Sequence, residues 1–309
     1  MDRRHFIGTV MGMGAALTFL PTHVKGLSSK RQLRIVHITD MHIFPSHKVK
    51  KAMSKLIEEI ESLDKPADFI LNTGDNIMDS LQAKKENVHE QWQAWLKYFR
   101  NKISLPLYSC IGNHDVWGWG LDDKNIENDP LYGKTWAVSM LDIPHRYYSF
   151  IMNNWKFICL DSSGYDKNRR GYTAKLDHKQ FAWLKEELAN TRRDIPVCIA
   201  SHIPILSASV FFDGDNVKNG EWEIPGAWMH TDAKKLKNLF NEFSNVRAAF
   251  SGHVHLADKT EYLGVKYFCN GAVCGGWWRG KYQEFGPAYA IVDFYEDGRV
   301  ESELVPYKF

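Results

Sequence analysis

No stretch of this chain is long and apolar enough to cross a bilayer as an ordinary helix: the run that begins at Ile7 continues for about 14 residues, short of the ~20 a span needs. Charge of one sign is scarce too. A net charge of +2, with no lysine and arginine stripe beside any motif, provides no broad field for nucleic acid or an anionic membrane, so attraction for phosphate must be local. No Cys-x-x-Cys occurs, which argues against a cysteine zinc site or a dithiol redox motif. The five cysteines leave one over after any pairing. Cys110, Cys159 and Cys198 fall in predicted strands, where a thiol serves as a small hydrophobe, whereas Cys269 and Cys274 are near enough in sequence for a small loop disulfide. Repeats and low-complexity segments are absent.

What is present supports a sizeable core: 309 residues, 44% hydrophobic, with eleven tryptophans and thirteen tyrosines. The first residues stand apart. Arg3 and Arg4, followed by Phe6, Ile7 and the modestly apolar run, resemble a twin-arginine export signal over residues 1–27. That resemblance implies export of a folded protein to the periplasm, with the signal cut or kept as an inner-membrane tether; an uncleaved signal is the one membrane contact expected. Folding before export would make disulfides dispensable.

Five predicted strands end on residues that bind metals. Residues 33–39 are followed by Asp40-Met41-His42, 67–73 by Gly74-Asp75, 105–111 by Gly112-Asn113-His114-Asp115, 196–200 by Ser201-His202, and 246–250 by Ser251-Gly252-His253-Val254-His255. Strands of one sheet presenting their carboxyl ends together would gather these groups at a single edge.

Helical spacing of apolar residues over 48–63 and 84–101 alternates with the first three strands, which predicts a mostly parallel sheet with crossover helices. Residues 116–145 and 203–230 read as long irregular stretches; residues 147–152 and 155–161 read as a hairpin, and 179–188 as a helix. Thr231 is placed to cap a helix running to Phe243, and residues 262–268, 288–294 and 300–305 read as antiparallel strands. The order suggests a second sheet packed on the first with helices outside both, within one domain over residues 32–309.

Two aspartates, an asparagine and four histidines, with no thiolate, form a mixed oxygen and nitrogen set that suits iron, manganese or zinc better than calcium. Seven donors exceed one tetrahedral ion but serve two divalent or mixed-valence ions that share a carboxylate. Taken in order, Asp40-x-His42, Gly74-Asp75, Gly112-Asn113-His114-Asp115, His202 and Gly252-His253-x-His255 resemble the calcineurin-like metallophosphoesterases. The resemblance implies an α/β fold, a four-layer α-β-β-α sandwich of two mixed sheets flanked by helices. It implies that Asp40, His42 and His255 hold one metal, that Asn113, His202 and His253 hold the other, and that Asp75 bridges them. His114 would bind no metal and would protonate the leaving oxygen or stabilise its charge, while a metal-bound hydroxide attacks phosphorus in line. Met78 stands where purple acid phosphatases carry a tyrosine, so their tyrosinate colour and redox chemistry are not expected. Ser201 stands before His202 where many relatives have glycine or histidine, which leaves the coordination set intact.

The implied substrate is a small phosphate ester, a phosphodiester or phosphomonoester, with cyclic-nucleotide phosphodiesterases among the relatives. Its base or sugar could stack on Trp117, Trp119, Trp277 or Trp278, and Arg279 could clamp a phosphate oxygen. Two other readings are a metal-dependent nuclease, which the near-neutral charge opposes, and a non-catalytic binding module, which would be expected to have lost a ligand or His114. His37, inside a strand, reads as a structural histidine; His89, His145 and His178 read as surface residues, and His230 ends a loop from which it could reach substrate. Asp115 could orient His114 or cap the following loop.

Overall fold

The computed structural model describes residues 29–123, 125–168 and 171–309, so the segment read as an export signal lies outside the described residues. Along the chain run β1 (Arg31–Ile38), α1 (His47–Glu61), β2 (Phe69–Asn72), α2 (Lys85–Trp95), β3 (Leu107–Ser109), α3 (Thr135–Leu141), β4 (Tyr148–Met152) and β5 (Trp155–Cys159). Next come β6 (Ser163–Asp166), β7 (Gly171–Ala174), α4 (His178–Ala189), β8 (Val197–Ala200), β9 (Val217–Lys218), β10 (Glu221–Trp222) and α5 (Ala233–Glu242). The chain closes with β11 (Val246–Ser251), β12 (Asp258–Tyr262), β13 (Val265–Cys269), β14 (Ala288–Tyr295) and β15 (Val300–Pro306).

Strands that run nearly apolar throughout are covered on both faces, and β2 and β8 are buried at every position. Each lies inside its own sheet: β15-β14-β1-β2-β3 in one, β12-β13-β11-β8-β5-β4 in the other. Between the sheets, rings from both sides interlock. Phe157 of β5 meets Phe69 of β2 edge-on at 5.1 Å and Phe294 of β14 at 5.3 Å, and Trp155 meets Phe294 at 4.7 Å. Each such fully buried ring stabilises the interface by roughly 1.5–3 kcal/mol. Outside the first sheet, α1 buries Val49, Met53, Leu56 and Ile60; outside the second, α4 and α5 pack Leu184, Leu188, Leu236 and Phe240 against β5, β8 and β11. The layers are therefore helix, sheet, sheet, helix. Among the described residues no helix is long and apolar enough to cross a membrane.

Several sequence expectations require correction. The C-terminal strands are split between sheets: β14 pairs antiparallel with β1, completing the first sheet, while β12 and β13 form a hairpin at the edge of the second, its turn at Leu263-Gly264 inside the stretch read as one strand. The helix from Lys85 passes into a π-helical turn at Leu96–Arg100. The stretch 116–145 holds α3, and 203–230 holds the β9 and β10 hairpin. Thr231 caps no helix: its amide and hydroxyl both donate to the Ala174 carbonyl, and α5 starts one residue later with Asp232 at the N-cap position. All five cysteines are free and buried, so Cys269 and Cys274 form no disulfide.

Candidate metal centre

The seven predicted ligands converge, at the edges of two sheets instead of one. The loops after β1, β2 and β3 bring Asp40, His42, Asp75 and Asn113; those after β8 and β11 bring His202, His253 and His255. Beyond the strand ends the first two loops remain zipped together, Asp40 N–H donating to the Gly74 carbonyl and His42 N–H to that of Asp75, each at 3.0 Å. The geometry comes at a cost in backbone strain. Asp40, His42, Asp75, His253 and His255 all take left-handed conformations, with φ of 52°, 43°, 53°, 78° and 56°, a region that costs a non-glycine residue about 1 kcal/mol or more. Two glycines permit the close approach: a Cβ on Gly112 would lie 2.1 Å from Asp75 Oδ1, and one on Gly252 2.0 Å from Thr39 Oγ1.

The donor atoms form two groups that share Asp75. In the first, Asp40 Oδ1 lies 3.4 Å from His255 Nε2 and 3.9 Å from His42 Nε2, and Asp75 Oδ2 lies 3.6 Å from His42 Nε2. In the second, Asp75 Oδ2 is 3.2 Å from His202 Nε2, which is also 2.9 Å from Asn113 Oδ1 and 3.2 Å from His253 Nδ1. Donors bound to one ion at ~2.1 Å stand about 3–3.5 Å apart. The second group and the Asp40–His255 pair lie close to that spacing, while His42 Nε2 stands a few tenths of an ångström further from both carboxylates.

The hydrogen bonds show that a cation fits. His42, His202 and His255 direct Nδ1 at the carbonyls of Met78, Thr73 and Gly275, at 3.1, 2.9 and 2.7 Å, which fixes a proton there and turns Nε2 toward the cluster as the atom free to take a proton or a metal. His42 Nε2 and His255 Nε2 then face each other at 3.2 Å, a gap that a proton or a cation must bridge. Asp40 Oδ2 accepts from Thr39 Oγ1 and His253 N–H, whereas its Oδ1 is buried with no hydrogen-bond partner. A positive ion resolves both conflicts.

Protonation follows the same logic. Burial pushes His42 and His253 down to about 3, keeping them neutral. Burial acts on His202 in the same direction, but the carboxylates of Asp75 and Asp40 outweigh it and raise that imidazole to about 9. Burial opposes charge on Asp40 and Asp75 as well, yet the histidines hold both well below the usual carboxylate range. Burial opposes charge on His255 too, but Cys274 and Asp40 raise it well above the ordinary imidazole value, so the carboxylates draw protons onto His202 and His255 that bound ions would replace. Cys274, with His42 and His255, is also close enough to count among the donor atoms.

His114 stands beside this centre and outside both groups. Its amide donates to Asp75 Oδ1 at 2.8 Å, its ring lies 4.9 Å from that of His42, and Nδ1 lies 3.2 Å from Asp79 Oδ1. Burial disfavours its charged form, but Asp75 and Asp79 prevail and raise its pKa above the ordinary imidazole value. The His114 ring is oriented by Asp79 and not by the Asp115 carboxyl. Asp115 braces the loop, accepting from the amides of Asn76 and Gly112 and the Asn76 side chain.

Over the centre opens a cavity of about 160 Å³, walled by His114, Tyr172, Trp228, Trp277, Tyr282 and Asp213, with Tyr282 OH donating to Asp213; no lysine or arginine lines it among the described residues. Trp277 lies over the His255 ring at 4.3 Å and 26°. Trp117, Trp119 and Trp278 are buried: Trp117 donates to the Ala83 carbonyl, Trp119 lies under Lys134, and Trp278 donates to the His42 carbonyl. His37 is held by Thr73 and Asn270, and His230 is buried between Ser201 and Asp232, away from the cavity. His89, His145 and His178 are exposed. Sequence reasoning missed Asp79, four residues past Asp75, and missed Tyr172, Asp213 and Tyr282, which carry no local signal.

A family model described as calcineurin-like phosphoesterase matches residues 33–257. The 3',5'-cyclic-nucleotide phosphodiesterase of Nostoc sp. is 24% identical over 296 residues, covering 91% of this chain and 96% of that protein. The 3',5'-cyclic adenosine monophosphate phosphodiesterase CpdA of Haemophilus influenzae is 22% identical over 289 residues, covering 90% and 91%. In fold, the chain resembles a dimetal phosphatase from Danio rerio with a TM-score of 0.59 at 12% identity, over 90% of this chain and 100% of that one.

Proposed function

This chain belongs to the calcineurin-like phosphoesterases, metal-dependent hydrolases of phosphoric esters, and on that premise we propose that it is a two-metal phosphodiesterase acting on a cyclic nucleotide. The observation that carries the reading is the position of Asp75 Oδ2, within 3.6 Å of His42 Nε2 and 3.2 Å of His202 Nε2, between the two donor groups. Asp40, His42 and His255 would hold one ion and Asn113, His202 and His253 the other, with Asp75 common to both. The donor set favours iron, manganese or zinc. Such a pair, when bound, neutralises phosphate charge and lowers the pKa of water.

The protein's own groups divide the remaining work. His114 donates a proton to the departing oxygen; Asp75 and Asp79 favour its charged form against burial, and Asp79 aims the ring. The carboxyl of Asp213 in the cavity wall favours a diester monoanion over a monoester dianion. Trp277 provides the ring against which a base packs. The names of the Nostoc and Haemophilus relatives support the cyclic-nucleotide choice. With manganese, zinc or iron added, bis(p-nitrophenyl) phosphate and cyclic nucleotides should be cleaved faster than p-nitrophenyl phosphate. Turnover of the monoester alone would overturn the assignment.

Residues 32–309 would form one phosphoesterase domain, carried out of the cytoplasm by a twin-arginine signal over residues 1–27. Replacing Arg3 and Arg4 by lysine should leave the protein in the cytoplasmic fraction, and undiminished periplasmic recovery of that variant would remove the signal reading.

A further inference from the structure

The cavity above the donor cluster measures about 160 Å³, below the ~300–1,000 Å³ of sites that enclose a whole small ligand. It has room for a phosphoryl group, and the rest of a nucleotide must lie elsewhere. A second cavity, of about 560 Å³, shares a wall with it: Trp277 lines both. Its other walls include Phe44, Met78 and Trp278, with Lys48 and Arg279 among the lining residues.

This second cavity is tied to the donor cluster at three points. The Met78 carbonyl faces His42 Nδ1, the Trp278 indole donates to the His42 carbonyl, and Trp277 lies over His255. Its shape is enforced. Trp277 and Trp278 both take left-handed backbone, φ 49° and 65°, in a loop closed by the Gly276 amide on the Gly280 carbonyl. Lys48 is engaged, its ammonium donating to the Trp278 carbonyl at 2.6 Å. The Arg279 side chain is exposed, and no described residue pairs with it.

Resting on the cyclic-nucleotide reading above, we infer that this second cavity is the base subsite, with Arg279 as its specificity residue and guanine as its preferred base. The indole offers a flat face, Phe44 and Met78 supply apolar wall, and the exposed Arg279 lines the same cavity, so its guanidinium fork is available to a base held there. A guanine presents O6 and N7 as paired acceptors that match this fork, whereas adenine replaces O6 with an amino donor. Stacking alone would accept either purine, so the discrimination falls to Arg279.

The test is calorimetric binding of GMP and AMP to the metal-loaded full chain, wild type and Arg279→Met. GMP should bind about tenfold more tightly than AMP, the value of one good bidentate contact. Arg279→Met should abolish that difference with the ion content by elemental analysis unchanged, and Trp277→Ala should weaken both nucleotides alike. Equal affinity for the two nucleotides in the wild type, absence of binding by both, or an unaltered ratio in Arg279→Met would overturn the inference. Failure of the cyclic-nucleotide reading looks different: cyclic GMP and cyclic AMP would both resist hydrolysis while bis(p-nitrophenyl) phosphate is cleaved, whatever the binding data show.

Discussion

Replacing Asp75 by alanine should release both ions and lower phosphoester turnover by ~10³-fold or more, since several kcal/mol of Lewis-acid assistance is lost at once and each 1.36 kcal/mol is a factor of ten. The expectation rests on one oxygen. Asp75 Oδ2 stands between the His42 and His202 nitrogens, while Oδ1 accepts the His114 amide. Loss of the carboxylate therefore takes the shared donor from both groups and frees the loop that carries His114. Asp75→Asn separates these effects: the amide oxygen can still accept from His114, but the negative charge is gone. Both variants should bind less than the full complement of ions by elemental analysis, with circular dichroism confirming a folded chain. An alanine variant that still holds two ions would contradict the shared position of Asp75.

That oxygen was legible in the sequence because its signal is local. A strand that ends in a glycine followed by an aspartate, or in an asparagine and a histidine, announces itself over a few residues, and the structure brings all seven such side chains together. Pairing between distant strands has no comparable signature. Nothing in residues 288–294 tells that they lie beside β1 and complete the first sheet, so the carboxyl edges were expected in one sheet when two supply them. Local capping preference misled at Thr231, whose amide and hydroxyl go instead to a carbonyl of β7. Trp117 and Trp119 sit in a glycine-rich loop that reads as open, yet the loop folds down and buries both. Tyr172, Asp213 and Tyr282 reach the cavity because a hairpin and two long loops pack there, and an isolated polar residue in such a segment has no periodicity to betray it.

His114→Ala should keep both ions yet reduce turnover by ~10²–10⁴-fold, the range for loss of a general acid. The penalty depends on what departs. A p-nitrophenolate leaves readily without a proton, whereas a ribose alkoxide does not, so the alanine variant should lose more activity toward a cyclic nucleotide than toward bis(p-nitrophenyl) phosphate. Equal losses would place His114 in charge stabilisation and not in proton donation. The pH profile gives an independent reading. Only the protonated imidazole can donate, and although burial disfavours that form, Asp75 and Asp79 raise the pKa of His114 above its ordinary value. Activity should thus persist above the pH at which an ordinary imidazole loses its proton, and fall as pH rises through the raised value. Asp79→Asn removes the carboxylate 3.2 Å from Nδ1 without touching the donor cluster. Its alkaline limb in kcat should move to lower pH, while ion content stays constant. A limb that does not move would mean that Asp79 orients the ring without tuning its proton, and an unchanged kcat in His114→Ala would remove the acid role altogether.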